Sequence, residues 1–143
     1  MQQITEFRGE YAFLSNFYEV PVKYEGMTYP SSEAAFQAAK CADVKARKAF
    51  QTMTPLQAKR FGKKVLLRSD WEQVKLQVMA DVLKSKFSNK TLQNKLLATG
   101  TATLIEGNHW NDTFWGVSLA TGKGQNHLGQ LLMHLRDELK TTK

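Results

Sequence analysis

Apolar positions recur at every second residue in only one place near the front of the chain, at Val20, Val22 and Tyr24. Glu25-Gly26 follows as a tight turn and Met27-Thr28-Tyr29 as a returning strand, so the pattern predicts a hairpin stopped by Pro30. Beyond it the spacing becomes helical. Ser31-Ser32 offers an N-cap, and Glu33 to about Phe50, rich in Ala, Lys, Gln and Arg without Gly or Pro, predicts a helix. Thr54-Pro55-Leu56-Gln57 places a capping Thr before Pro and a Gln three residues on, a capping box for a short helix closed by Gly62. Ser69-Asp70-Trp71-Glu72 repeats the box and opens a long helix to about Phe87. Asn89 is placed to cap a further helix carrying Leu92, Leu96 and Leu97, which Gly100 ends, and Thr101 to Glu106 reads as a strand. Gly107 to Gln125 is loop-like. Asn126 then stands as the cap of a last helix whose Leu128, Leu131, Leu132, Leu135 and Leu139 form a buried stripe. The expectation is one mainly α domain over residues 1–143 with a small β portion.

Composition narrows the class. With 143 residues, 42% hydrophobic and 23% charged, the chain is long enough to build a core without disulfide or metal staples, and it is neither disordered nor collagen-like. No long apolar run and no basic-then-apolar leader is present, so neither a membrane span nor a signal peptide is expected. The lone Cys41 points to a reducing cytoplasm. A net charge of +7 favours anionic partners, either nucleic acid or phosphorylated small molecules. The basic residues are spread along the chain rather than massed in a tail; the densest stretch, Lys59-Arg60-Phe61-Gly62-Lys63-Lys64, reads more readily as a solvated helix end than as a phosphate patch. No zinc-finger spacing, sheet-stacking ribonucleoprotein sequence or basic heptad region indicates sequence-specific DNA binding.

Three places could carry chemistry. In the long helix, Lys75 falls inside the stripe Trp71, Val74, Val78 and Val82; buried alone it would become a neutral nucleophilic amine, whereas at the stripe's edge it would snorkel to solvent. Glu33, Gln37 and Lys40 share one helix side beside Phe36, a face suited to a polar ligand, although a carboxylate in a first turn also has a purely structural reason to be there. Glu106 ends a strand and Asp112 lies six residues on, a pair able to stabilise an oxocarbenium-like sugar or activate water, or else to serve as an ion pair and a turn cap. Other patterns fail. Gly116 to Lys123 lacks the spacing and the Ser or Thr of a phosphate loop, and His109, His127 and His134 have no metal-ligand spacing or Cys partners, so neither metal nor cofactor is expected. Ser15 and Cys41 have no His close in sequence to activate them.

Taken in order, Phe13-Leu14-Ser15-Asn16-Phe17-Tyr18, Tyr29-Pro30-Ser31-Ser32-Glu33, Phe36-Gln37-Ala38-Ala39-Lys40, Asp70-Trp71-Glu72-Gln73-Val74-Lys75, Leu104-Ile105-Glu106, Asp112-Thr113-Phe114-Trp115-Gly116 and Asn126-His127-Leu128-Gly129-Gln130-Leu131-Leu132-Met133 resemble the successive signatures of the NADAR, or YbiA-like, family. The resemblance runs from about Phe7 to Leu139, with one departure: Ala34 stands where many members carry His after the glutamate matching Glu33. It implies a compact, mainly helical YbiA-like fold with a small β portion and an N-glycoside hydrolase. The substrates it implies are phosphorylated, ribosylated pyrimidine intermediates of riboflavin synthesis, or ADP-ribose attached to guanine in DNA or RNA.

On that resemblance Glu33, Lys75, Glu106 and Asp112 are the candidate catalytic residues, and Asn16, Phe17, Lys40, Trp71, Trp115, Gly116 and Asn126 the candidate substrate-binding ones. Trp71 and Trp115 would wall the base or ribose, and Asn16 and Asn126 would bond sugar or phosphate oxygens. Two mechanisms stay open: a carboxylate stabilising the cationic sugar and activating water, or Lys75 or Lys40 capturing C1 of the opened ribose as a Schiff base. A non-catalytic module binding ADP-ribose or a related nucleotide is the alternative, and a general nucleic-acid binder the third.

Overall fold

The computed structural model describes residues 2–141. It is mainly α with a small β portion, and its contacts gather into two compact units, residues 16–89 and residues 1–15 with 90–143.

The 16–89 unit opens with the expected hairpin. Strands β2 (Glu19–Tyr24) and β3 (Met27–Ser31) pair antiparallel with Val22 opposite Tyr29 and Tyr24 opposite Met27, and both turn residues, Glu25 and Gly26, have positive φ, as a tight two-residue connection requires. The chain enters helix α1 (Ser32–Ala39) through Ser31, whose hydroxyl accepts the Ala34 N–H at 3.1 Å. Every α1 residue is buried. Four alanines let the hairpin, the following 3-10 helix and two further helices approach it closely.

α1 ends eleven residues before the sequence expectation of Phe50. Long-range pairing ends it: Arg68 N–H donates to the Lys40 carbonyl at 2.8 Å and Ala42 N–H to the Leu66 carbonyl at 3.0 Å, drawing Cys41 into a bridge with Leu67. Asp43 then caps a separate 3-10 helix (Val44–Thr52) by accepting the Lys45 N–H. The Thr54–Gln57 capping box is present in full on α2 (Pro55–Phe61), which Gly62 closes. Helix α3 (Trp71–Lys86) begins after Asp70 without a side-chain cap, because the Asp70 carboxylate takes a bidentate bond from Arg68 at 2.6 and 3.0 Å instead.

In the other unit β1 (Gln3–Ile4) pairs in parallel with β4 (Thr103–Leu104), shorter than the strand expected over Thr101 to Glu106. A 3-10 helix covers Gly9–Leu14, and α4 spans Lys90–Ala98. The long loop holds two short parallel strands, β5 (Gly107–Asn108) and β6 (Val117–Ser118). Helix α5 (His127–Thr141) buries Leu128, Leu132 and Leu135 of the expected stripe. At Gly129 a Cβ would overlap the Leu104 carbonyl oxygen, so the helix meets the β4 backbone where only glycine fits.

Candidate active site

The Glu33 face sits on α1 in the 16–89 unit. One turn after Glu33, Gln37 Nε2 donates to Glu33 Oε2 at 2.7 Å. Gln37 is itself buried, and its Oε1 has no hydrogen-bond partner among the described residues. That oxygen rests on Gly62, where a Cβ would overlap it. The glycine closing α2 therefore leaves the space in which the amide holding Glu33 stands.

Lys40 lies at the C-terminal cap of the same helix, its Nζ 6.0 Å from the ring centroids of both Phe36 and Trp71. These rings are 5.1 Å apart and tilted by 56°. Burial lowers the Lys40 pKa, the Glu33 carboxylate opposes that shift, and the Lys63 and Lys75 cations add to it. Lys75, inside the α3 stripe, bonds Glu72 Oε1 at 2.8 Å with a fifth of its side chain exposed. Asn16 accepts the Ser32 hydroxyl at Oδ1 (2.8 Å), donates to Met79 Sδ (3.5 Å) and receives the Glu33 N–H at its carbonyl (3.0 Å). It thus ties down the start of α1. Phe17 is exposed, with Lys59 Nζ 5.8 Å over its ring.

The second group belongs to the other unit and is organised by its loop. Asp112 Oδ1 accepts the N–H groups of Phe114 (3.1 Å) and Trp115 (2.9 Å), while the Asp112 N–H donates to Asn108 Oδ1 (2.9 Å). The Asn108 amide nitrogen in turn donates to Glu106 Oε1 (3.1 Å) and to the Asp112 carbonyl (3.0 Å). Gly116 is required beside it, since a Cβ there would overlap Glu106 Oε1 and the Glu106 carbonyl.

Asn126, at φ 52°, does not cap α5. Its Oδ1 accepts the Glu106 N–H and its Nδ2 donates to the Leu104 carbonyl, both at 2.9 Å. A cap is unnecessary because the N–H groups of Asn126, His127 and Leu128 already donate to the carbonyls of Gly116, Phe114 and Trp115. Trp115 and Phe114 meet edge to face at 4.8 Å, and His127 lies 4.5 Å from the Phe114 ring.

Asn16, Phe17, Glu33, Lys40, Trp71 and Lys75 are therefore gathered in one unit, and Glu106, Asp112, Trp115, Gly116 and Asn126 in the other. Sequence reasoning missed Asn108. Its spacing of four from Asp112 in a loop without regular periodicity was the available signal.

The NADAR domain family matches residues 5–140, nearly the whole chain and both groups. The chain belongs to the NADAR family. It is similar to the N-glycosidase YbiA of Escherichia coli, 43% identical over 138 residues that cover 94% of this chain and 85% of that one. A riboflavin biosynthesis protein of Vibrio vulnificus is 37% identical over 134 residues, 91% of this chain but 36% of that longer protein. The solution NMR structure of Escherichia coli YbiA superimposes with a TM-score of 0.86 at 41% identity, covering 99% of this chain and 88% of that one. This NADAR protein is accordingly an N-glycosidase. Among the described residues no helix is long and apolar enough to cross a membrane.

Proposed function

We propose that this N-glycosidase hydrolyses the bond between a phosphorylated ribose and a nitrogenous base, with Glu33 and Lys40 as its principal reacting groups and the cytoplasm as its place of action. The observation that carries the reading is the α1 face itself: a carboxylate oriented by Gln37 and a half-buried lysine over the Phe36 and Trp71 rings, two turns apart on one helix. An N-glycosidic bond breaks with positive charge developing at the anomeric carbon. A carboxylate fixed by a hydrogen bond stabilises that charge without reorganising and can orient the attacking water.

Lys40 supports either of two roles. As an ammonium it attracts the substrate phosphate. As the neutral amine that burial favours, its Nζ bonds to C1 while the base departs with a proton, giving an imine of the opened ribose that water hydrolyses. In the other unit, Asp112 is committed to two backbone N–H groups, which favours a role in shaping the loop that carries Trp115. Glu106 remains its candidate reacting carboxylate.

For the substrate, the relatives with riboflavin biosynthesis names favour a ribosylaminopyrimidine phosphate. A second reading, removal of ADP-ribose from guanine in DNA or RNA, is supported by the +7 charge. The test offers purified protein each substrate separately and follows release of base and sugar by mass spectrometry. Cleavage of the pyrimidine phosphate, lost in Glu33→Gln, is the expected result; turnover unaffected by that substitution overturns the assignment of Glu33. Borohydride trapping during turnover separates the roles of Lys40, an adduct at Lys40 marking the imine route and no adduct the water route.

A further inference from the structure

The excess positive charge of the protein is concentrated in one segment. Residues 44–69 hold eight of the 20 Lys and Arg and none of the 13 Asp and Glu, leaving 12 against 13 elsewhere, a net charge of −1 for the rest of the chain. Two of the eight are neutralised locally, Arg47 by Glu25 at 2.6 Å and Arg68 by Asp70. Lys45, Lys48, Arg60, Lys63 and Lys64 are exposed and have no acidic partner among the described residues.

Two of these cations, Arg60 and Lys64, line a concavity. The 3-10 helix Val44–Thr52 and α2 enclose a groove of about 430 Å3 lined by Ala49, Thr52, Met53, Arg60, Phe61 and Lys64. Phe61 leans edge-on against buried Phe50 at 5.5 Å while 39% of it stays exposed. Phe17, 41% exposed with the Lys59 ammonium over its ring, supplies a second accessible aromatic surface in the same unit.

We propose that this groove, lined by Arg60, Lys64 and Phe61 in a segment that also exposes Lys48 and Lys63, binds a single-stranded nucleic acid through its phosphates and one or more unstacked bases. Such sites combine a cationic channel along the backbone with aromatic faces on which any base can stack. The concave shape favours a strand over a flat bilayer, because α2 has seven residues and presents no long apolar face to insert. Helix α2, which carries Arg60 and Phe61, packs against α1, which carries Glu33, so the groove and the Glu33 face belong to one unit. The proposal rests on the nucleic-acid reading of the substrate only in linking the groove to turnover; binding of an unmodified strand is independent of it.

The experiment measures fluorescence anisotropy of a labelled oligothymidylate with the full chain over a series of KCl concentrations. Affinity is expected to fall steeply with salt, by about 0.7 in the log–log slope for each phosphate contact. Arg60→Glu with Lys64→Glu is expected to weaken binding at low salt on the order of tenfold or more and to flatten the slope by about 1.4. Phe61→Leu should weaken binding about fivefold or more with the slope unchanged, and Lys123→Glu in the other unit should bind as the native chain does. Melting curves establish that each variant is folded.

Salt-insensitive or absent binding by the native chain overturns the proposal, as does native-like binding by the Arg60 and Lys64 double variant. Capture by phosphatidylserine vesicles through the same residues, without competition by the oligonucleotide, overturns it in favour of a membrane surface. An oligonucleotide that binds as expected, with no release of ADP-ribose from modified guanine, leaves the binding groove standing and removes the nucleic-acid reading of the substrate.

Discussion

The two candidate groups use similar side chains in opposite ways. On α1 the backbone is satisfied by its own helix, by the Ser31 cap and by Asn16, so Glu33, Gln37 and Lys40 are spent on one another and on what lies above them. In the 106–126 loop the backbone has no helix to satisfy it, and Asp112, Asn108 and Asn126 are consumed in holding carbonyls and N–H groups in place. A carboxylate or amide in a motif is thus a weaker sign of chemistry on a loop than on a helix. A loop must take its order from side chains.

The sharpest way to break this contrast is to remove one carboxylate from each group. Glu33→Gln should lower turnover about 10²- to 10⁴-fold, the range for loss of a positioned acid or base, while the melting temperature changes little. Asp112→Ala should do the reverse, costing about 1–3 kcal/mol of stability because the N–H groups of Phe114 and Trp115 lose their acceptor. A loss of turnover at full stability in Asp112→Ala would refute its structural assignment. Gly62→Ala tests the support of Glu33 from behind: the new methyl group must displace the Gln37 amide, so kcat should fall with KM little changed, at a stability cost of about 1–3 kcal/mol. Recovery of stability without recovery of kcat in the double variant with Gln37→Ala would identify the clash as the cause.

Lys86 is fully buried at the end of α3 against the Tyr18 and Phe87 rings, where burial lowers its pKa to about 7. Between about 7 and its ordinary value of 10.5 the unfolded chain holds this proton and the folded one does not. Native stability therefore rises with pH across that window. Lys86→Met removes the rise, so its melting temperature relative to the native chain should be highest near pH 7 and decline toward pH 10. A difference independent of pH would show that Lys86 stays charged in the fold.

Legibility in the sequence followed the range of the interactions. The hairpin at Glu25-Gly26 and the Thr54–Gln57 box are closed by residues two or three apart, and both were readable. The end of α1 was not, because it is set by Lys40 and Ala42 pairing with residues 66–68. Asn126 looked like a cap by type and place, yet the Leu128 amide within its reach is taken by the Trp115 carbonyl, and its own side chain reaches back to residues 104 and 106. The Glu33, Gln37 and Lys40 face was visible from helical spacing alone, whereas the role of Gly62 beneath Gln37 depends on a contact 25 positions distant.

The bonds from Asn126, His127 and Leu128 to the loop carbonyls have a consequence for how α5 opens. First-turn amides are normally among the fastest in a helix to exchange with deuterium, since nothing within the helix protects them. Here their protection is borrowed from residues 114–116. The start of α5 and the Trp115 loop therefore breathe as one element, and isotope uptake at His127 and Leu128 gives a readout of whether that loop is in place.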